Sequence, residues 1–72
     1  MRPPKYKIGD NVSFIWKSRQ LNGNIVGCIG VPDDVTFRYM YRIKVPSRFL
    51  SHEYKMYEEN IIYIDLNILV VL

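Results

Sequence analysis

Three cations, Arg38, Arg42 and Lys44, recur at even-numbered intervals in the run Phe37-Arg38-Tyr39-Met40-Tyr41-Arg42-Ile43-Lys44-Val45. In an extended strand alternate residues share a face and stand about 7 Å apart. Arg38, Met40, Arg42 and Lys44 therefore line one face, and Tyr39, Tyr41, Ile43 and Val45 the other. Cations fixed at that pitch can follow a phosphate backbone, with Lys17, Arg19 and Arg48 in flanking loops extending the row. Trp16 stands at a strand end beside Lys17, where it serves either as a core plug or as a platform on which a base stacks. The competing reading of the row is a solvated face whose charges guard the strand against edge pairing.

Residues suited to nucleophilic or metal chemistry are sparse. His52 is the single histidine and Cys28 the single cysteine. His52 and Glu53 are sequence neighbours, so on a strand they point to opposite faces and cannot orient one another. No spacing brings Cys28 to His52, as thiol–imidazole catalysis requires. One Cys and one His without a C-x2-C pair do not make a zinc site. Neither a Walker loop nor a G-x-G-x-x-G run occurs, and Gly23, Gly27 and Gly30 have strand neighbours rather than the opening of a helix. The expectation is a non-enzymatic binding module without cofactor or metal.

Size and charge agree. Seventy-two residues make one small domain, with no room for a separate substrate domain. Ten Lys and Arg against seven Asp and Glu give a net charge of +3, which permits a polyanionic partner without demanding one. A lone cysteine excludes an intrachain disulfide and fits a reducing, cytoplasmic setting, with Cys28 expected as a small buried hydrophobe. Met1 to Lys5 opens polar with no apolar stretch behind it, so no secretory signal is expected. The apolar run at 66–72 is too short to cross a bilayer as a helix, so no membrane role is expected.

The elements that position these residues are strands. Pro3 and Pro4 keep an arm over 1–5 loose, and an extended piece ends in a Gly9-Asp10 turn. Alternation of Val12, Phe14 and Trp16 with Ser13 predicts a strand at 11–16, with Ile15 facing a second layer or the apolar tail. Residues 17–23 read as a polar loop closed by an Asn22-Gly23 turn. A second strand at 24–31 sets Ile25, Gly27 and Ile29 against Val26 and Cys28, with glycine marking a bulge or bend. A turn at 31–36 around Pro32 and two aspartates leads to the strand at 37–45, which Pro46 ends. Phe49 and Leu50 are expected to fold back onto the end of the sheet. A fourth strand at 53–57 precedes a solvated polar kink at Glu58-Glu59-Asn60, plausible as one helical turn, and a fifth strand at 61–64. Tyr57 and Tyr63 could line a groove near that kink.

Gly9-Asp10-Asn11-Val12-Ser13-Phe14, Gly23-Asn24-Ile25-Val26-Gly27-Cys28-Ile29, Tyr39-Met40-Tyr41-Arg42-Ile43 and Glu58-Glu59-Asn60-Ile61 together resemble a Src-homology-3-like (SH3-like) small β-barrel. The likeness is to the KOW and Tudor kind found in bacterial and phage proteins. It implies an all-β fold of about five short antiparallel strands over 6–64; the apolar extension 65–72 departs from that pattern and either adds a strand or pairs with a second copy. On the second alternative Ile68, Leu69, Val70, Val71 and Leu72 are self-association residues of a homodimer. The favoured expectation is nucleic-acid binding through the phosphate backbone by Arg38, Arg42, Lys44, Lys17, Arg19, Arg48 and Trp16. The alternative is a protein-interaction or assembly module, such as a phage or mobile-element accessory factor acting on a host protein.

Overall fold

A turn at Lys7 to Asp10 precedes the first strand. The Asp10 N–H donates to the Lys7 carbonyl at 3.0 Å, and the Lys7 N–H donates to the Asp10 carboxylate at 2.9 Å. Gly9 takes φ +97°, a conformation open to glycine and strained for other residues. The computed structural model describes residues 3–32 and 37–63. Its strands are β1 (Asn11–Trp16), β2 (Arg19–Pro32), β3 (Phe37–Pro46), β4 (Ser51–Tyr57) and β5 (Ile61–Tyr63), with a 3-10 turn, Glu58–Asn60, before β5. They form one antiparallel sheet in the order β4-β3-β2-β1-β5, so the last strand returns to pair with the first. This is a small, compact all-β fold. The expected strand at 11–16, the helical turn at the Glu-Glu-Asn kink and the short strand after it all appear.

β2 serves two partners in succession. Arg19 to Asn24 pair with β1, and Asn24 to Pro32 pair with β3, so Asn24 stands opposite both Asn11 and Lys44. The register slips between Ile25 and Gly27, where Val26 is the extra residue of a bulge. The expected glycine-marked irregularity is therefore present, and it reverses the side-chain alternation beyond it. Ile25 faces Ile43 in the core, but Cys28 and Gly30 then stand opposite the inward Tyr41 and Tyr39. Ile29 moves to the outer face opposite Met40 and is exposed, against the simple alternation that grouped it with Ile25.

The core is Tyr6, Val12, Phe14, Ile25, Tyr39, Tyr41, Ile43 and Ile61, with Leu21, Phe37, Val45, Tyr54 and Met56 packed on it. Burying an aliphatic or aromatic side chain of this size contributes roughly 1.5–3 kcal/mol. The inward face predicted for Tyr39, Tyr41, Ile43 and Val45 is the central wall of that core. Tyr54 of β4 lies 5.3 Å from the rings of both Phe14 and Trp16 on β1. Those strands stand three places apart in the sheet, so the sheet curls until their inner faces meet.

Several sequence expectations are corrected. The first hairpin turns at Lys17 and Ser18, both at positive φ (50° and 64°), and not at Asn22-Gly23. Two such residues in succession are what a two-residue hairpin needs. Turning there brings Leu21 opposite Phe14 and extends the ladder. Gly23 instead lies inside β2, where an added Cβ would stand 2.6 Å from the Lys44 carbonyl oxygen. Ser13 is buried despite its place on the outer face, while Ile15 on the same face is exposed. Phe49 and Leu50 do not fold back. The Ser47 N–H donates to the Leu50 carbonyl at 2.8 Å, closing the turn on itself and leaving both side chains in solvent. Cys28 is exposed rather than buried, although the bulge sets it opposite the inward Tyr41. Val31 and Pro32 of the expected turn at 31–36 belong to β2, and the rest of it lies outside the described residues, as do the tail residues Ile68, Leu69, Val70, Val71 and Leu72 and Met1 and Arg2 of the arm. Among the described residues no helix is long and apolar enough to cross a membrane.

Candidate functional site

Two of the three cations predicted on β3 are held by carboxylates. Arg42 donates through Nε and Nη2 to both oxygens of Glu53, at 3.1 and 2.8 Å. Lys44 stands directly opposite Glu53 and Lys55 directly opposite Arg42, so the β4 register lays one acid and one base across the row. The hydrogen bond from Arg42 holds the Glu53 carboxyl below its ordinary range, helped by the charges of Arg42, Lys55 and Lys44. Arg38 stacks over Tyr57 at 3.7 Å from the ring centroid and is paired with Glu59. The Glu59 carboxyl is likewise held low, first by a hydrogen bond from its own backbone and then by Arg38. The row is thus a cross-strand network rather than a bare stripe. Lys55, which belongs to the same face, was not singled out in the sequence, since only strand pairing brings it opposite Arg42.

Behind that row the 3-10 turn is anchored from within. Glu58 is 7% exposed, not solvated as its sequence context suggests. Its Oε2 accepts the Tyr41 hydroxyl at 2.7 Å and the Lys5 N–H at 3.0 Å. The Tyr6 N–H donates to the Tyr41 oxygen at 3.2 Å, and the Tyr6 hydroxyl donates to the Ile61 carbonyl at 3.1 Å. The arm is therefore tied down at Lys5 and Tyr6. Burial, followed by the Glu58 carboxylate, pushes the Tyr41 phenol well above the ordinary tyrosine range. Desolvation also raises the Cys28 thiol. Cys28 stands opposite Tyr41 and His52 opposite Val45, four residues apart along β3 on different neighbouring strands. That is about 13 Å along the strand direction, so no thiol–imidazole pair forms.

The remaining predicted residues lie on two hairpins. β1 and β3 both run antiparallel to β2, so they point the same way and their hairpins project from the same end. One hairpin carries Trp16, Lys17 and Arg19, and the other carries Arg48, Phe49 and Leu50. Trp16 is 40% exposed, with one edge on Tyr54 and the Lys17 ammonium 5.6 Å from its ring. Phe49 is 85% exposed, with the Arg48 guanidinium 5.6 Å from its ring. Lys17, Arg19 and Arg48 form no ion pair among the described residues. A shallow groove of about 290 Å³, lined by Val26, Arg42, Lys44, Ser51, His52 and Glu53, adjoins the second hairpin. Phe49 escaped the sequence reading because an aromatic residue in a loop normally signals a fold-back onto the core. Compared with protein-family models, curated proteins and solved structures, the chain matches none.

Proposed function

We propose that the protein is a non-enzymatic SH3-like small β-barrel that binds nucleic acid with the end carrying its two hairpins. The barrel reading is supported by a fifth strand that returns to the first, a 3-10 turn just before it, and side-chain contact between β1 and β4. One observation carries the functional reading. The cations of the hairpins, Lys17, Arg19 and Arg48, have no carboxylate bound to them among the described residues, whereas Arg38 and Arg42 on the strand do. A phosphate reaching Arg42 must displace Glu53, while one reaching the hairpins displaces only solvent.

The mechanism is phosphate contact by three exposed cations beside aromatic surface, so affinity depends on salt. Three contacts give a log–log slope of roughly −2 to −3. The test is fluorescence anisotropy with labelled mixed-sequence oligonucleotides at about 50 and 200 mM salt, a range over which such a slope loses roughly tenfold or more in affinity. Absence of binding at the lower salt, or binding undiminished in a Lys17→Glu/Arg48→Glu variant, overturns the reading. The adjacent exposed Phe49 and Leu50 favour, as the second reading, a protein partner docked at the same end. On that reading Phe49→Ala and Leu50→Ser abolish capture of a nuclease-resistant partner and leave salt dependence slight.

A further inference from the structure

We infer that the hairpin end selects single-stranded over duplex nucleic acid, with Trp16 and Phe49 stacking on unpaired bases. The inference rests on the nucleic-acid reading and specifies its ligand.

Phosphate contact alone needs cations and no rings. Yet each hairpin sets an aromatic ring beside its own cation, Trp16 with Lys17 and Phe49 with Arg48. In a duplex the base faces are covered by their neighbours, so a projecting ring finds no partner. In a single strand every base offers a face, and a ring next to a cation can take a base and its phosphate together.

The Trp16 ring is held in place before any ligand arrives, and the Phe49 turn is fixed at its backbone. The Trp16 hairpin has only Lys17 and Ser18 between its strands, and Trp16 itself is opposite Arg19 in the ladder. Its ring edge rests on Tyr54, which in turn packs against Phe14. The Phe49 turn is closed from both sides: Ser47 N–H donates to the Leu50 carbonyl at 2.8 Å, and Leu50 N–H donates to the Ser47 hydroxyl at 3.3 Å. A fixed platform loses little conformational entropy when a base settles on it. The core is filled by other aromatic side chains, Phe14, Tyr39 and Tyr41 among them.

Trp16 is the single tryptophan of the chain, so its fluorescence reports this end directly. The experiment titrates the full chain with a twelve-nucleotide single strand and with the matching duplex, following both Trp16 emission and the anisotropy of the labelled oligonucleotide. The single strand is expected to quench Trp16 and to bind about tenfold more tightly than the duplex, the size expected of base stacking on an aromatic ring. Phe49→Ala, at a site already in solvent, is expected to lower single-strand affinity about tenfold and leave duplex affinity unchanged. Trp16→Ala is expected to do the same, with its thermal midpoint recorded because Trp16 touches Tyr54. Equal affinity for the two forms, or single-strand binding that leaves Trp16 emission unaltered, overturns the inference while salt-dependent binding keeps the nucleic-acid reading. Binding to neither form overturns both.

Discussion

The Tyr41 hydroxyl donates to the Glu58 carboxylate at 2.7 Å in the interior, tying the middle of β3 to the 3-10 turn. The same oxygen accepts the Tyr6 N–H, so one phenol joins the arm, the central strand and the turn before β5. Tyr41→Phe removes a hydrogen bond to a charged group and is expected to cost about 2 kcal/mol at neutral pH. The phenol's pKa is raised in the folded state by burial and by Glu58. A raised folded value means the contribution is complete below the unfolded tyrosine value of about 10 and is lost as pH rises above it. Thermal melts between neutral and strongly alkaline pH should show that loss in the parent chain, with its Tyr41 part absent from Tyr41→Phe.

Arg42 and Glu53 allow the strand face and the hairpin end to be told apart. Because Glu53 is held low by Arg42, the pair persists through neutral pH and is released only as acid protonates the carboxyl. Arg42→Ala is therefore expected to leave the salt slope of oligonucleotide binding unchanged, whereas Arg48→Ala lowers it by about one. Glu53→Gln frees Arg42 and is expected to steepen the slope by up to about one. A slope that drops in Arg42→Ala would assign phosphate contact to the strand after all.

The hairpin at Lys17 and Ser18 holds two non-glycine residues at positive φ. Ser18→Gly relieves one of these strains, partly offset by the greater freedom of glycine in the unfolded chain. A net gain of about 0.5 kcal/mol, or roughly 2–4 °C in the thermal midpoint, is expected from differential scanning fluorimetry.

Gly23 lies where β2 passes close to the end of β3. A methyl group there would meet the Lys44 carbonyl at 2.6 Å and the Ile43 side chain at 2.8 Å. Backbone is the nearest obstacle, so Gly23→Ala is expected to cost roughly 1–3 kcal/mol by overpacking, measured by urea denaturation. A neutral substitution would argue against the close approach of these two strands.

What the amino-acid order determined by itself was local. The alternation from Tyr39 to Val45, the first strand at Asn11–Trp16, the turn at Gly9 and the kink at Glu58–Asn60 were all legible, because backbone period and turn chemistry act over two to four residues. Pairing decided the rest. The bulge at Val26 moved Ile29 outward and set Cys28 opposite Tyr41, and the ladder overrode the Asn22-Gly23 turn signal by setting Leu21 opposite Phe14. Likewise, Arg42 looked like a free cation until β4 brought Glu53 beside it, and Glu58 looked solvated until Tyr41 reached it from seventeen positions away. Charge neutralisation and burial arise from contacts between distant segments, and their register is set by the area the whole sheet buries. No short stretch of sequence carries that information.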